Sequence, residues 1–527
     1  MSNANDMTTG QKSQLHTSLW NIANELRGHM DADDFRDYIL AFIFYKYLSE
    51  KVSKLANELL EPDGLEFAQI VNQQKYVNAI RFRAVEELGY FLEPSELFEE
   101  VAAKAESNPN LNTDLDAIFD HIQKSTLGTE SEDDFENLFS EIDLASSKLG
   151  RTLNDRNKLI AKVLRILAQI DFQLENSQID ILGDAYEYMI GQFASGAGKK
   201  AGEFYTPQEV SEILARIVKG NKQKIDSVYD PTCGSGSLLI RVGLQFKDSK
   251  NIEYYGQESN PTTYNLARMN MILHDINYKR FDIALDDTLV NPQHTSKKFE
   301  AVVANPPFSA KWSADPMFLD DERFAAAGKL APKSKADWAF LEHMIFQLDE
   351  NGTMASIVPH GVLFRGAAEQ VIRTYYIREK NYLDAVIGLP SNVFFGTSIP
   401  VAIVVFKKHR EHPENVLFID ASREFQKGKN QNKLREEDIK KIIDTYNDRI
   451  ELDKYSHLAP LSQIEENDYN LNISRYVDTF EEEEPVDIAA VLRELDELNP
   501  EIELLEAQMR EHLEKLGIVR LQKGAKV

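Results

Sequence analysis

The sequence predicts an α/β protein: a doubly wound sheet of seven strands, with a helical N-terminal domain before it and a helical tail after it. Three observations carry this. Runs of β-favouring residues alternate with helical segments from Ile225 onward. A glycine-rich turn joins the first strand directly to a helix, as in open parallel sheets. Before and after this stretch the apolar residues recur at helical spacing instead. The expected domains are 1–165, 166–475 and 476–527.

In the first domain Leu19, Ile22, Ala23 and Leu26 fall on one helical face, with Gly28 as a stop. Asp33 or Asp34 is then placed to cap a second helix, whose face of Phe35, Tyr38, Ile39, Phe42 and Ile43 is expected to be core. The acidic stretch from Glu93 to Asp143 is broken by Pro94, Pro109 and Gly128, which predicts short helices with a solvated charged face. A helical pattern over Leu182–Ile190 ends in the small, basic segment Ser195–Gly202, read as a loop. Glu203-Phe204-Tyr205-Thr206-Pro207 follows, and a helix is expected from Gln208 to Val218.

The predicted strands are Ser227–Tyr229, Ile252–Gly256, Phe281–Leu285, Phe299–Ala304, Thr353–Val358, Leu383–Gly388 and Val401–Phe406. Helices are expected over Ser237–Phe246, Pro261–Asp275, Ala336–Leu348 and Ala367–Glu379. Only the short segment Leu389–Pro400 joins the last two strands, which predicts an antiparallel pair at one sheet edge. Val416–Asp420 is a candidate for a further edge strand. In the tail, Ile488, Val491, Leu495, Leu498, Ile502, Leu505, Met509, Leu513 and Leu516 keep the spacing of an interhelical seam. Asn499-Pro500 reads as an N-cap with proline at the first helical position, so two helices are expected. The seam either folds back on its own domain or meets a partner.

Composition narrows the function. The chain has 527 residues, 43% hydrophobic and 10% aromatic, as a globular protein does. Its net charge of −27 repels phosphate, so any grip on nucleic acid requires a local basic patch or a second subunit. The single cysteine, Cys233, rules out an intrachain disulfide and a cysteine-based zinc cage, and no metal-binding pattern is present. The apolar run Tyr38–Leu48 is too short to span a bilayer and the N-terminus is polar, so the expectation is a cytoplasmic protein without a membrane segment.

The chemistry centres on Asn305-Pro306-Pro307-Phe308, immediately after an apolar strand. Two prolines cannot extend a ladder, so the strand ends here, at the edge where open α/β sheets bind ligands. The Asn305 side-chain oxygen and the Pro306 carbonyl are acceptors for the N–H groups of an exocyclic aromatic amine. Such bonds localise the amine's lone pair, and Phe308 is an aromatic surface on which the ring can stack. Asp230-Pro231-Thr232-Cys233-Gly234-Ser235-Gly236-Ser237 makes a tight turn into a helix, where glycines admit a ligand to the backbone. It is neither the dinucleotide fingerprint nor a P-loop. Glu258 ends the second strand, placed to accept from both ribose hydroxyls of an adenosine. Asp287, or its neighbour Asp286, ends the third and either accepts from an adenine amino group or caps the Thr288–Val290 turn. Cys233, inside the glycine turn, is a poor candidate nucleophile.

Phe204-Tyr205-Thr206-Pro207, the Asp230 glycine turn, Glu258 and Asn305-Pro306-Pro307-Phe308, in that order, resemble the gamma class of adenine-N6 DNA methyltransferases. Leu19-Trp20-x-x-Ala23, Asn265–Asn270, Asp337–Leu341 and Phe394–Pro400 extend the resemblance to the modification subunit of type I restriction-modification systems. It implies S-adenosylmethionine as cofactor. Glu203, Phe204, Tyr205, Thr206, Pro207 and Gln208 would approach its methionine end, and Asp230, Gly234, Ser235, Gly236 and Ser237 would lie against it. Glu258 would hold the ribose and Asp287 the adenine ring, while Asn305, Pro306, Pro307 and Phe308 receive the target adenine. Asp286-Asp287-Thr288-Leu289 departs from the Gly-Asp-Thr-Leu expected there. The implied substrate is an adenine flipped out of double-stranded DNA, with Phe394 or Phe395 a candidate for its other face.

The resemblance also implies partners that answer the charge problem: a DNA specificity subunit joined by two modification subunits, and a restriction (translocase) subunit. Lys329, Lys333 and Lys335, after Phe308, either touch phosphates or are solvated surface. Two other readings are methylation of a different planar amide or amine, in protein or RNA, and a non-catalytic scaffold. Intact Asn305 and Glu258 speak against the scaffold.

Overall fold

The structure, a computed structural model, describes residues 32–170, 186–191, 206–394, 397–428, 431–479 and 488–516. The expected Leu19–Leu26 helix, the Ser195–Gly202 loop, Glu203, Phe204, Tyr205 and Phe395 lie outside them. The chain forms two compact units, dividing between Asp478 and Thr479.

The first unit holds one nine-stranded sheet in the order β3-β2-β1-β4-β5-β7-β6-β8-β9. Its strands are β1 Ser227–Asp230, β2 Glu253–Glu258, β3 Phe281–Leu285, β4 Phe299–Ala304, β5 Leu348–Pro359, β6 Leu383–Gly388, β7 Val401–Phe406, β8 Asn415–Asp420 and β9 Ser456–Pro460. All seven expected strands are present. β1 to β5 pair in parallel, whereas β7 is antiparallel to both its neighbours, β5 and β6. The expected edge position of the β6–β7 pair is corrected: β7 sits inside the sheet, and β8 and β9 extend it beyond β6. Burial explains this. Every residue of β6 and of β7 is buried, as interior strands require, and such runs carry no sign of their place in the order.

Alternation along the strands feeds two cores. Ala301 and Val303 of β4 join the core formed with the N-terminal helices and with helices Gln208–Lys219, Ser237–Gly243 and Pro261–Leu273. Phe299, Val302 and Ala304 face the other core, with Trp312, Phe318, Phe324 and helix Asp337–Gln347. Helix Pro261–Leu273 begins where its sequence says it must: Asn260 caps it, accepting from Thr263 N at 3.0 Å, and proline occupies the first turn. The segment expected as one helix over Ala367–Glu379 is an α-helix only over Ala368–Thr374 and continues as a π-helical turn, Tyr375–Glu379.

The N-terminal helices pack directly on this sheet layer. Asp33 and Asp34, expected at a helix cap, lie within the described helix Ala32–Leu60. Of the face expected as core, Tyr38, Ile39, Phe42 and Ile43 are buried, and the Phe35 side chain lies outside what the structure describes. Tyr47 donates to Ile272 O at 2.9 Å, and the buried Arg268 donates to Asp133 O at 2.7 Å and Glu136 O at 2.9 Å.

In the second unit one helix runs from Ile488 to Lys515 with Pro500 inside it, in place of the two helices expected. The missing N–H of Pro500 removes one bond, that to the carbonyl four residues earlier, and the remaining ladder carries the helix across. Ile488, Val491, Leu495, Leu498, Ile502, Leu505 and Met509 are all exposed along it.

Candidate active site

Four parallel strands end side by side, and each delivers one functional group to the same sheet edge. β1 ends at Asp230, paired with Gly256 of β2, and β2 ends at Glu258, paired with Leu285 of β3. Asp287 follows β3 by two residues, and Asn305 follows β4. This is the edge the strand-to-proline transition predicts.

The glycine turn is built tightly. Gly234 and Gly236 have φ of 55° and 75°, conformations open to glycine at little strain. A Cβ on Gly256 of β2 would stand 2.9 Å from Cys233 Sγ, so the bare backbone of Gly256 is what lets the turn sit down on β2. Cys233 N then donates to Gln257 O at 3.0 Å. From below, Asn270 donates to Ser235 O at 2.9 Å, and the Ser235 and Ser237 hydroxyls bond each other at 2.9 Å. Burial pushes the Cys233 thiol well up, which agrees with its exclusion as a nucleophile.

Asp230 is buried and accepts from Thr232 N at 2.9 Å. Burial raises it to about 8 despite the Thr232 N–H, and neighbouring Glu258 adds to the rise. Glu258 accepts from Asn260 N through Oε1 at 2.8 Å and from Gly234 N through Oε2 at 3.1 Å. Its pKa is likewise raised by burial, against the pull of those backbone N–H groups. Each Glu258 oxygen thus accepts a backbone N–H, and Ser259 also bonds the carboxylate through its backbone and hydroxyl.

Asp286 and Asp287 differ in their bonds. Asp286 spends Oδ1 on Asp287 N at 2.8 Å and Oδ2 on Asn291 Nδ2 at 2.5 Å. Asp287 caps the turn through Oδ1, which accepts from Leu289 N at 2.9 Å, and among the described residues its Oδ2 has no hydrogen-bond partner. Capping and ligand holding are therefore compatible, one oxygen to each. Thr288 donates to Pro231 O at 2.6 Å and ties this turn to the glycine turn.

A cavity of about 440 Å³ opens between these groups. Glu258, Asp286, Asp287, Leu289, Pro307 and Trp312 are among its lining residues. Asn260, Lys311, Trp312 and Phe340 also line it, and sequence reading missed them. Only Phe340 had a signal, its place within the Asp337–Leu341 run. Asn305, Phe308, Ser235 and Gly236 do not line it, nor do Thr206, Pro207 and Gln208. Gln208 instead donates to the buried Glu187 at 3.2 Å, which also receives Arg241 at 3.1 Å.

Asn305 is buried at the end of β4, and Pro306 beside it is buried too. Phe308 is half-buried, with its ring edge-on to buried Phe394 at a centroid distance of 6.0 Å. Phe394 thus braces Phe308. The turn is anchored by Ser309 N, which donates to Asp337 Oδ1 at 2.8 Å, while Arg365 holds Asp337 Oδ2 at 2.8 Å. Lys329 and Lys333 are exposed and Lys335 is half-buried on the loop that follows. Among the described residues no group of His, Cys, Asp or Glu could hold a metal ion, and no helix is long and apolar enough to cross a membrane.

The sheet order, glycine turn and acid-tipped strands define an S-adenosylmethionine-dependent methyltransferase fold, and comparison with known proteins gives the family. The N-6 DNA methylase family matches residues 177–485, and the HsdM N-terminal domain matches residues 15–167. The type I restriction enzyme MpnII methylase subunit of Mycoplasma pneumoniae is 40% identical over 93% of this chain and 94% of its own length. The MjaVIII methylase subunit of Methanocaldococcus jannaschii is 32% identical over 70% of this chain and 63% of its own. The crystal structure of the type I restriction-modification methyltransferase subunit from Streptococcus thermophilus is 42% identical, with a TM-score of 0.82 over 89% of this chain and all 100% of that one. The chain belongs to the N-6 DNA methylase family, among the methylase subunits of type I restriction enzymes, and is an adenine-specific DNA methyltransferase.

That family uses S-adenosylmethionine, and the residues present fit its adenosine. The cavity offers carboxylate acceptors, Glu258 and Asp287, to a nucleoside whose hydroxyls and amino group are donors, and Leu289 and Pro307 supply apolar lining.

Proposed function

We propose that this chain methylates N6 of an adenine flipped from double-stranded DNA, at sites chosen by a separate specificity subunit. The observation that carries the reading is the shared edge. The Asn305 turn and the acid-lined cavity are consecutive along the sheet, with Pro307 belonging to both.

Glu258 would hold the ribose hydroxyls and Asp287 the adenine amino group, with Asp230 and the Gly234–Ser237 turn beneath the methionine part. The bound cofactor supplies an electrophilic methyl group on a sulfonium. At the acceptor side, the Asn305 amide oxygen and the Pro306 carbonyl take the two N–H groups of the target amine, so its lone pair points outward as the nucleophile. Asn305 is an amide and takes no proton; the methylated amine loses its proton to water. Phe308, braced by Phe394, offers its face to the base and returns roughly 1–3 kcal/mol of the unstacking energy.

The acidic chain leaves most of the grip on DNA to a partner, and the exposed apolar row of helix Ile488–Lys515 is a fitting surface for joining it. Two copies of this chain per specificity subunit, and a restriction subunit added to them, complete the assembly we infer, in the cytoplasm. Within the chain we assign 1–165 to a helical domain, 166–475 to the methyltransferase and 476–527 to partner binding.

The decisive experiment incubates the purified chain with methyl-labelled cofactor and DNA, with and without the specificity subunit. Label on adenine N6 only with the partner present is the expected result. Label on cytosine, RNA or protein rejects the substrate.

A further inference from the structure

The loop between the Asn-Pro-Pro-Phe turn and helix Asp337–Gln347 is pinned shut and reaches back to the cofactor side. Ala336 N donates to Ala310 O at 2.8 Å and Trp312 N to Lys333 O at 3.1 Å, closing its base. Trp312, Phe318 and Phe324 pack together inside it at centroid distances of 5.4 to 5.8 Å. From this lobe Arg323, only 3% exposed, extends to the turn that carries Asp287.

All five guanidinium N–H donors of Arg323 are used. Nη1 donates to Thr288 O at 2.8 Å and to His343 Nδ1 at 3.2 Å. Nη2 donates to Leu289 O at 2.9 Å and to Asp321 Oδ2 at 2.7 Å, and Nε donates to Asp321 at 3.1 Å. Since Nη1 is the donor to His343 Nδ1, the proton of that imidazole belongs on Nε2, which faces Tyr229 OH at 2.9 Å. Tyr229 is the β1 residue directly before Asp230. His343 is kept neutral by burial and by the neighbouring Arg323.

The turn after β3 is thereby held from two sides. Asp287 Oδ1 occupies the N–H of Leu289, and Arg323 occupies the carbonyls of Thr288 and Leu289. With its peptide planes fixed on both faces, the turn has one orientation, and so has the second oxygen of Asp287. A lysine cannot reproduce this, because an ammonium lacks the planar fork that spans two carbonyls and a carboxylate.

We propose that Arg323 is a positioning residue that aims Asp287 at the cofactor's base, so that the loop after the methyl-acceptor turn determines which base the cofactor may carry. This rests on the reading of Asp287 as the adenine-binding acid, and the test separates the two.

Binding of S-adenosylhomocysteine and of its analogue with unsubstituted purine as the base is measured by calorimetry on the full chain. The proteins are the wild type, Asp287→Asn, Arg323→Lys and Arg323→Met, each checked by thermal melting. Wild type should prefer the amino-bearing ligand by about tenfold or more, the worth of one hydrogen bond to a charged group. Arg323→Met should bring that ratio close to one while the purine analogue binds within about threefold of wild type, and Arg323→Lys should fall between. Equal loss of both ligands in Arg323→Lys and Arg323→Met, with the ratio kept, overturns the proposal and leaves Arg323 a structural residue. An unfolded Arg323→Met together with a wild-type ratio in Arg323→Lys overturns it as well. A wild type without preference, or an Asp287→Asn that retains it, overturns the reading of Asp287 instead.

Discussion

Asn270 donates through Nδ2 to the carbonyl of Ser235 at 2.9 Å, so the helix beneath the glycine turn holds its backbone in place. Asn270 is fully buried, and its amide also approaches Ser237 Oγ at 3.4 Å. Replacing it with aspartate would turn a donor into an acceptor facing a carbonyl. Asn270→Asp should therefore lose about 2 kcal/mol or more of stability in denaturant unfolding. Cofactor affinity, read by calorimetry, should fall with it.

Gly256→Ala tests the contact between β2 and the same turn. The new methyl would meet Cys233 Sγ at 2.9 Å and Ile283 Cδ1 at 2.8 Å. Overpacking of this kind costs about 1–3 kcal/mol. The variant should melt earlier and bind cofactor more weakly, and the double variant with Cys233→Ala should recover part of both. Binding equal to wild type in Gly256→Ala would show that the turn does not need this close approach.

Asn305→Ala should abolish methyl transfer in the assembled enzyme while calorimetric cofactor binding persists, because Asn305 lies outside the cavity that holds the acids. Phe308→Ala should act differently. It should weaken the stacking of the target base by ~1–3 kcal/mol and so raise the apparent KM for DNA. Retained turnover in Asn305→Ala would contradict lone-pair localisation as the source of catalysis.

Asp230 gives a pH signature. Burial holds its carboxyl at about 8 in the folded protein, against 3.8 for an unperturbed aspartate. The folded state therefore binds a proton that the unfolded state has released, and the resulting stability is complete below 3.8 and lost as pH rises through about 8. Asp230→Asn keeps an acceptor for Thr232 N but cannot ionise. Melting temperatures followed from pH 5 to pH 9 should fall less for the variant, with its advantage greatest at the alkaline end. Parallel curves would place the Asp230 pKa near its ordinary value.

Truncation after Glu484 removes the exposed helix Ile488–Lys515. The shortened chain should keep its cofactor affinity, and its assembly with the specificity subunit should weaken, as read by the mass of the complex on size exclusion. An unchanged complex would assign the apolar row to the chain itself.

The seven strands and the glycine turn were legible because each depends on local pattern: β-branched runs, turn glycines, prolines that end a ladder. The placement of Asn305 and Glu258 at strand ends was legible for the same reason. The interior place of β7 was not, since Val401–Phe406 is apolar on both faces and nothing in such a run names its neighbours. The continuous tail helix was missed because proline signals a helix start locally, whereas the ladder on either side of Pro500 sustains it. Arg323 carried no local signal either. Its partners Thr288 and Leu289 lie 35 and 34 residues away, and only the fold brings them within reach.

The bond between Tyr47 and Ile272 spans 225 residues of chain. At a synthesis rate of roughly 5–20 residues per second, about 11–45 s separate the emergence of the two partners from the ribosome. Phe42, Phe44 and Tyr45 of helix Ala32–Leu60 can close early on Phe98, Phe119 and Phe139, whereas Tyr47 waits for its partner on helix Pro261–Leu273. Slowing translation between residues 60 and 260 prolongs that wait, and should lower the soluble yield more than slowing it afterwards.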